Sequence, residues 1–230
     1  MTWLGNVASM VEDAPTAFVG FGAEAIGFFR GLSADNSLEY FTAQRAAWEA
    51  AVKEPMQALL KELAATWGGK FRLFRQERRM RFSRDRSPYK LKTYGVVAAR
   101  VASAAAHYVE ISAAGLYAAA GYYELGPEQL QRYRTAVADD ERGGELERLL
   151  AEGVARGLNV SGMIAGAPRG TSKSHPRLAL LRHHSLLYGA RLGAEDPVLQ
   201  QRAALDFVHK TWSDGAPITA WLDSNVGPQK

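Results

Sequence analysis

The 230-residue chain contains no cysteine. That gap excludes a disulfide framework, a thiolate zinc site, an iron–sulfur cluster and a cysteine nucleophile. Long apolar runs are missing too. Each is soon broken by charge or glycine, so no transmembrane helix is predicted and no membrane contact is expected. The stretch from Met1 to Gly22 carries Glu12 and Asp13 and lacks a basic flank, which a signal peptide would have. A soluble cytoplasmic protein is the expectation. Metal chemistry is thinly provided for, since only His183 and His184 of the five histidines are close in sequence. Neighbours on a helix point about 100° apart and do not readily share one ion. Gly20-Phe21-Gly22 with Gly27 has the wrong spacing for a dinucleotide loop and no strand before it. No cofactor and no metal are expected.

What is present describes a globular chain: 47% hydrophobic, 23% charged and 10% aromatic residues. Residues 1–21 read as an N-terminal segment and 22–226 as one domain. Ile26, Phe28 and Phe29 mark a short apolar helix over 22–31, and Asp35-Asn36-Ser37 offers a cap for the next one. Phe41, Trp48, Val52, Met56, Leu59, Leu63 and Trp67 then recur at helical spacing, with Pro55 predicting a kink or a break. Gly68-Gly69 ends that stripe.

From Lys70 the period changes to strand alternation: Phe71 and Leu73 around Arg72, Met80 and Phe82 around Arg81. Further strands are predicted at Tyr94–Val101, His107–Ser112, Gly115–Glu124 and Val160–Ala165. Helices are predicted from Pro127, over 145–156, over 177–191, over 197–212 with Asp196 as cap, and over 217–223. Short connections favour antiparallel neighbours. The expected fold is α+β: a central antiparallel sheet with N-terminal and C-terminal helices packed against it.

Charge is distributed unevenly. Residues 70–92 hold ten cations against Glu77 and Asp85, while the other 207 residues carry 18 basic and 22 acidic side chains. An acidic body with one basic stretch points to an anionic partner, although surface ion pairs with acidic helices would also neutralise it. Within the stretch, a strand would project Arg81 and Ser83 to one face and Phe82 to the other. Arg75, Arg78, Arg81 and Lys90 are candidate clamps for a carboxylate or phosphate, with Ser83 and Tyr89 as hydrogen-bonding groups. Asp85 is a candidate general base, or a side chain that caps its own turn. His175 lies between Arg169 and Arg177 in a loop of small polar residues, and is either a proton-transfer group or a plain surface histidine.

The segment Arg78 through Lys90, with Asn36 and Glu39-Tyr40-Phe41 upstream, resembles a bacterial and fungal family catalogued as domain of unknown function number 2461. That family's pattern includes R-D-x-R-F-S-x-D-K-x-P-Y-K. Further matching stretches are Gly121-Tyr122-Tyr123, Gln129-Leu130 with Tyr133-Arg134, and Pro168-Arg169-Gly170 followed by His175-Pro176-Arg177. Arg79 stands where the family has aspartate, Ser174 replaces an aspartate, and Thr171 replaces a tyrosine. The resemblance implies an α+β fold and brings no established reaction.

The leading functional expectation is an enzyme or pocket protein for a small anionic ligand at a basic sheet face. Asp85, His175 and Tyr89 would be its catalytic groups, doing cofactor-independent acid–base chemistry. Arg75, Arg78, Arg81, Ser83, Lys90 and Arg169 would bind the substrate. The alternative is a non-catalytic module for nucleic acid or a protein partner, because Phe71, Phe74, Phe82, Tyr89 and Tyr94 interleave with the arginines as a stacking platform requires. A third reading makes the basic strand mere glue between helical layers, with each arginine buried against a carboxylate.

Overall fold

The computed structural model describes residues 17–78, 86–98, 103–166, 168 and 170–229. The strand alternation predicted at Met80 and Phe82 falls outside these residues. Helix α1 spans Glu24–Ala34. Ser37 then caps α2 (Leu38–Ala43), its Oγ accepting from Tyr40 N at 3.1 Å. The expected long helix comes in pieces: α3 (Arg45–Trp48), a π-helical turn (Glu49–Lys53) and α4 (Glu54–Trp67). The break falls just before Pro55, and a new helix starts within one residue of it. Proline occupies the first turn of α4, where a missing N–H costs little, and the wider π turn absorbs the change of register. Gly68 adopts φ 73° at the C-cap, and its N–H reaches Ala64 O at 2.8 Å. The stripe from Phe41 to Leu63 is buried throughout, and Trp67 packs at its partly buried end.

The sheet is antiparallel with strand order β1-β2-β3-β4-β6-β5. Its strands are β1 (Phe71–Leu73), β2 (Lys92–Ala98), β3 (Ala106–Ser112), β4 (Gly115–Tyr122), β5 (Asn159–Met163) and β6 (His183–Leu192). Between β4 and β5 lie α5 (Pro127–Ala138) and α6 (Asp140–Ala155). An α+β single domain results, as the alternation implied.

Two expectations at the C-terminus are corrected. The helix predicted over 177–191 is a short helix α7 (Leu178–Leu181) followed by strand β6. Leucine and alanine there suit a helix, but the segment inserts between β4 and β5 and completes both ladders, so tertiary pairing overrides propensity. The helices predicted over 197–212 and 217–223 are instead a 3-10 turn (Pro197–Gln200) and one helix, α8 (Ala203–Asn225), that runs through Pro217. Burial of Val208, Trp212, Ile218, Trp221 and Leu222 outweighs the one backbone bond proline removes. Asp196 does cap, accepting from Val198 N at 2.9 Å.

The helices share one side of the sheet. Thr93 accepts from Trp48 Nε1, Gly95 lies against Leu60, His107 contacts Trp67 and Trp212, and Tyr188 packs on Gly215. Strand alternation then turns Lys92, Tyr94, Val96, Tyr108, Glu110, Tyr117, Ala119 and Arg191 to the opposite side, which is helix-free among the described residues. No helix among the described residues is long and apolar enough to cross a membrane.

Candidate functional site

Register fixes the centre of the helix-free face. Tyr94, Glu110, Tyr117 and Arg191 are direct partners across β2, β3, β4 and β6, so one row crosses four strands. Glu110 is 7% exposed although no described helix covers it. Its Oε2 accepts from Lys92 Nζ at 2.5 Å and from the Tyr108 hydroxyl, and its Oε1 lies 3.4 Å from an Arg191 nitrogen. Burial favours the neutral acid, but the hydrogen bonds from Lys92 and Tyr108 and the charges of Lys92 and Arg191 outweigh it. The carboxyl is therefore held below its ordinary value. Burial, reinforced by the bond to Glu110, drives the Tyr108 phenol well up. Tyr94 and Tyr117 are also raised by burial, so all three phenols stay protonated donors near neutral pH.

Cations lie over these rings. Lys92 Nζ is 5.6 Å from the Tyr94 centroid and 5.5 Å from that of Tyr108, and Arg191 lies 4.8 Å above Tyr117. Lys90 adds a second ammonium 5.2 Å from Tyr94. Phe74 stacks on Tyr94 at 4.7 Å and carries Arg72 on its ring. Gly189 makes room for Tyr117: a Cβ there would meet the tyrosine hydroxyl at 2.7 Å.

The sequence candidates divide into three groups. Arg81, Ser83, Asp85 and Arg169 lie outside the described residues. Arg75, Arg78, Tyr89 and Lys90 gather beside β2. There Asn36 acts as a strand substitute, donating to Tyr89 O at 3.2 Å and accepting from Tyr89 N at 2.9 Å. Arg78 Nε donates to the same carbonyl at 3.0 Å, and Lys90 Nζ reaches Arg75 O. The Tyr89 ring is 5% exposed and stacks on Phe41 at 4.1 Å, so it anchors the basic segment to α2. Gln76 extends the joint inward through Thr93 Oγ1 at 2.7 Å.

His175 stands elsewhere. Its Nδ1 accepts from Arg177 N at 3.0 Å, and Arg177 is held by Asp140 and Glu147 of α6, the helix against edge strand β5. With β1 and β5 at opposite edges of six strands, about 24 Å separates them at the usual strand spacing. The structure does not bring His175 to Tyr89 or Lys90. An apolar groove of about 410 Å³, lined by Leu150, Val154, Val160, Met163, Leu180 and His183, also belongs to that far edge. No group of three or more histidine, aspartate or glutamate side chains among the described residues could hold a metal ion.

A family model described as Conserved hypothetical protein (DUF2461) matches residues 24–221. The chain belongs to the DUF2461 family. No curated protein matches it. In this DUF2461 protein the described part of the long motif, residues 78 and 86–90, lies beside β2, and the centre of the helix-free face is made by residues outside the motif. Sequence reasoning passed over Tyr108, Glu110, Tyr117 and Arg191, named Tyr94 only in the stacking alternative, and counted Lys92 only as charge. A carboxylate and tyrosines at alternate positions were the available signal, but their convergence depends on pairing across strands distant in sequence.

Proposed function

We propose that this DUF2461 protein binds a small anionic ligand, carboxylate or phosphate, on the helix-free face of its sheet. The observation that carries the reading is the Glu110 cluster, where one carboxylate orders Lys92 and Arg191 and both cations keep donors directed to solvent. Lys90 and Arg72 raise the local positive potential. The proton-transfer candidates on this face are Tyr108 and Glu110, which already share a hydrogen bond. Arg81, Ser83 and Asp85 remain candidates through the motif, and His175 belongs to the opposite edge. Against the glue reading, Arg72 and Arg75 make no ion pair among the described residues.

The test is a thermal-shift and calorimetric series with acetate and inorganic phosphate. At least one should raise the melting temperature of the wild type, and Arg191→Gln should remove that rise while leaving the unliganded melting temperature within roughly 3 °C, as an exposed substitution does. If neither anion stabilises the protein, the reading is wrong.

One observation favours a second reading, a single-stranded nucleic-acid surface. Phe74, Tyr94, Tyr108 and Tyr117 form a run of rings interleaved with cations. Glu110 at its centre argues for the small ligand, because it repels a continuous phosphate backbone.

A further inference from the structure

Glu110 divides the helix-free face into two poles. At one, Lys92 Nζ binds Oε2 and lies over the rings of Tyr94 and Tyr108. At the other, Arg191 faces Oε1 and lies over Tyr117. Because the two cations hold opposite oxygens of one carboxylate, they stand within about 8 Å of each other. Resting on the anion-binding reading above, we propose that the ligand is a small dianion with two carboxylates separated by two or three carbon atoms, one carboxylate at each pole.

The geometry disfavours a single anion lodged between the poles, since that position faces the charge of Glu110 itself. An anion at one pole only would leave the other cation without a ligand partner. A diacid crosses over Glu110 and satisfies both. The cations have capacity for it: an ammonium has three donors and a guanidinium five, and each spends one on Glu110. Their side chains are 45% and 37% exposed, so a ligand reaches them from solvent without displacing Glu110. The hydroxyls of Tyr94 and Tyr117 make no hydrogen bond among the described residues and supply a neutral donor beside each pole. Linking two weak contacts in one molecule makes the second effectively intramolecular, which strengthens binding without a new contact.

Calorimetry at constant ionic strength with propionate, succinate, glutarate and pyrophosphate tests this. Succinate or glutarate should bind roughly tenfold or more tightly than propionate, and pyrophosphate, whose charges are closer together, should not match them. Lys92→Met and Arg191→Gln should each bring the diacid down to the propionate level, with folding checked by far-ultraviolet circular dichroism. If diacid and propionate bind alike, or pyrophosphate equals the diacids, or the preference survives both variants, the two-pole inference fails while anion binding stands. If none of the four anions binds, the underlying site reading fails with it.

Discussion

His107 packs between two indoles, its ring centroid 4.7 Å from both Trp67 and Trp212. It is 6% exposed, and its Nδ1 has no hydrogen-bond partner among the described residues. Burial pushes its pKa down to about 4, partly opposed by the charge of Asp223, while His209 beside Trp67 is also lowered by burial. The folded state therefore refuses a proton that the unfolded chain accepts below about pH 6.5, the ordinary histidine value. Stability should fall as pH drops from about 6.5 to about 4, with His107 accounting for up to ~3 kcal/mol. Urea unfolding at pH 7.5 and pH 5 would show it, and His107→Phe should flatten the difference. An unchanged difference in the variant would assign the effect to other groups. At this scale the basic stretch was legible, since counting charges finds it. Glu110 was not, because a lone glutamate on a strand has the same local sequence whether it faces water or two cations.

At the scale of elements, α8 and β6 specify one another. Gly215 in α8 lies so close to Tyr188 of β6 that a Cβ would meet its ring at 1.9 Å. Gly215→Ala raises helix propensity by about 1 kcal/mol, yet overpacking a filled contact costs roughly 1–3 kcal/mol. The expected outcome is net destabilisation by up to about 2 kcal/mol, read from the midpoint of urea unfolding. A stabilised variant would mean that Tyr188 moves aside freely. This contact also explains which elements could be read in advance. Helices α1 and α4 and strand β2 carry periodic burial along their own length, so local pattern suffices. The strand character of β6 comes from its neighbours: Tyr188 pairs with Ala120 on one side and Val160 on the other, both far away in sequence. Pro217 is similar. Alone it signals a break, and only burial on both sides keeps α8 continuous.

At the largest scale, the sheet separates two environments, an apolar side under helices and a tyrosine-rich charged side without a helix among the described residues. A small dianion held by two cations should lose less than about fivefold in affinity between 50 and 200 mM salt. A single-stranded oligonucleotide neutralised by Arg72, Lys90, Lys92 and Arg191 would lose roughly 50-fold over the same range. Titrating a decathymidylate alongside succinate separates the two, and tight oligonucleotide binding with the steep slope would favour the second reading. Family membership, the α+β class, the buried stripe and the concentration of positive charge in residues 70–92 were all determined by the sequence alone, because each depends on neighbours in the chain. Tertiary structure alone decided where that charge acts. Lys92 is the last cation of the basic stretch, and only strand pairing sets it against Glu110, 18 residues on, and opposite Arg191, 81 residues beyond Glu110. Register across a sheet is a long-range property, and it converts a charged segment and scattered tyrosines into one face.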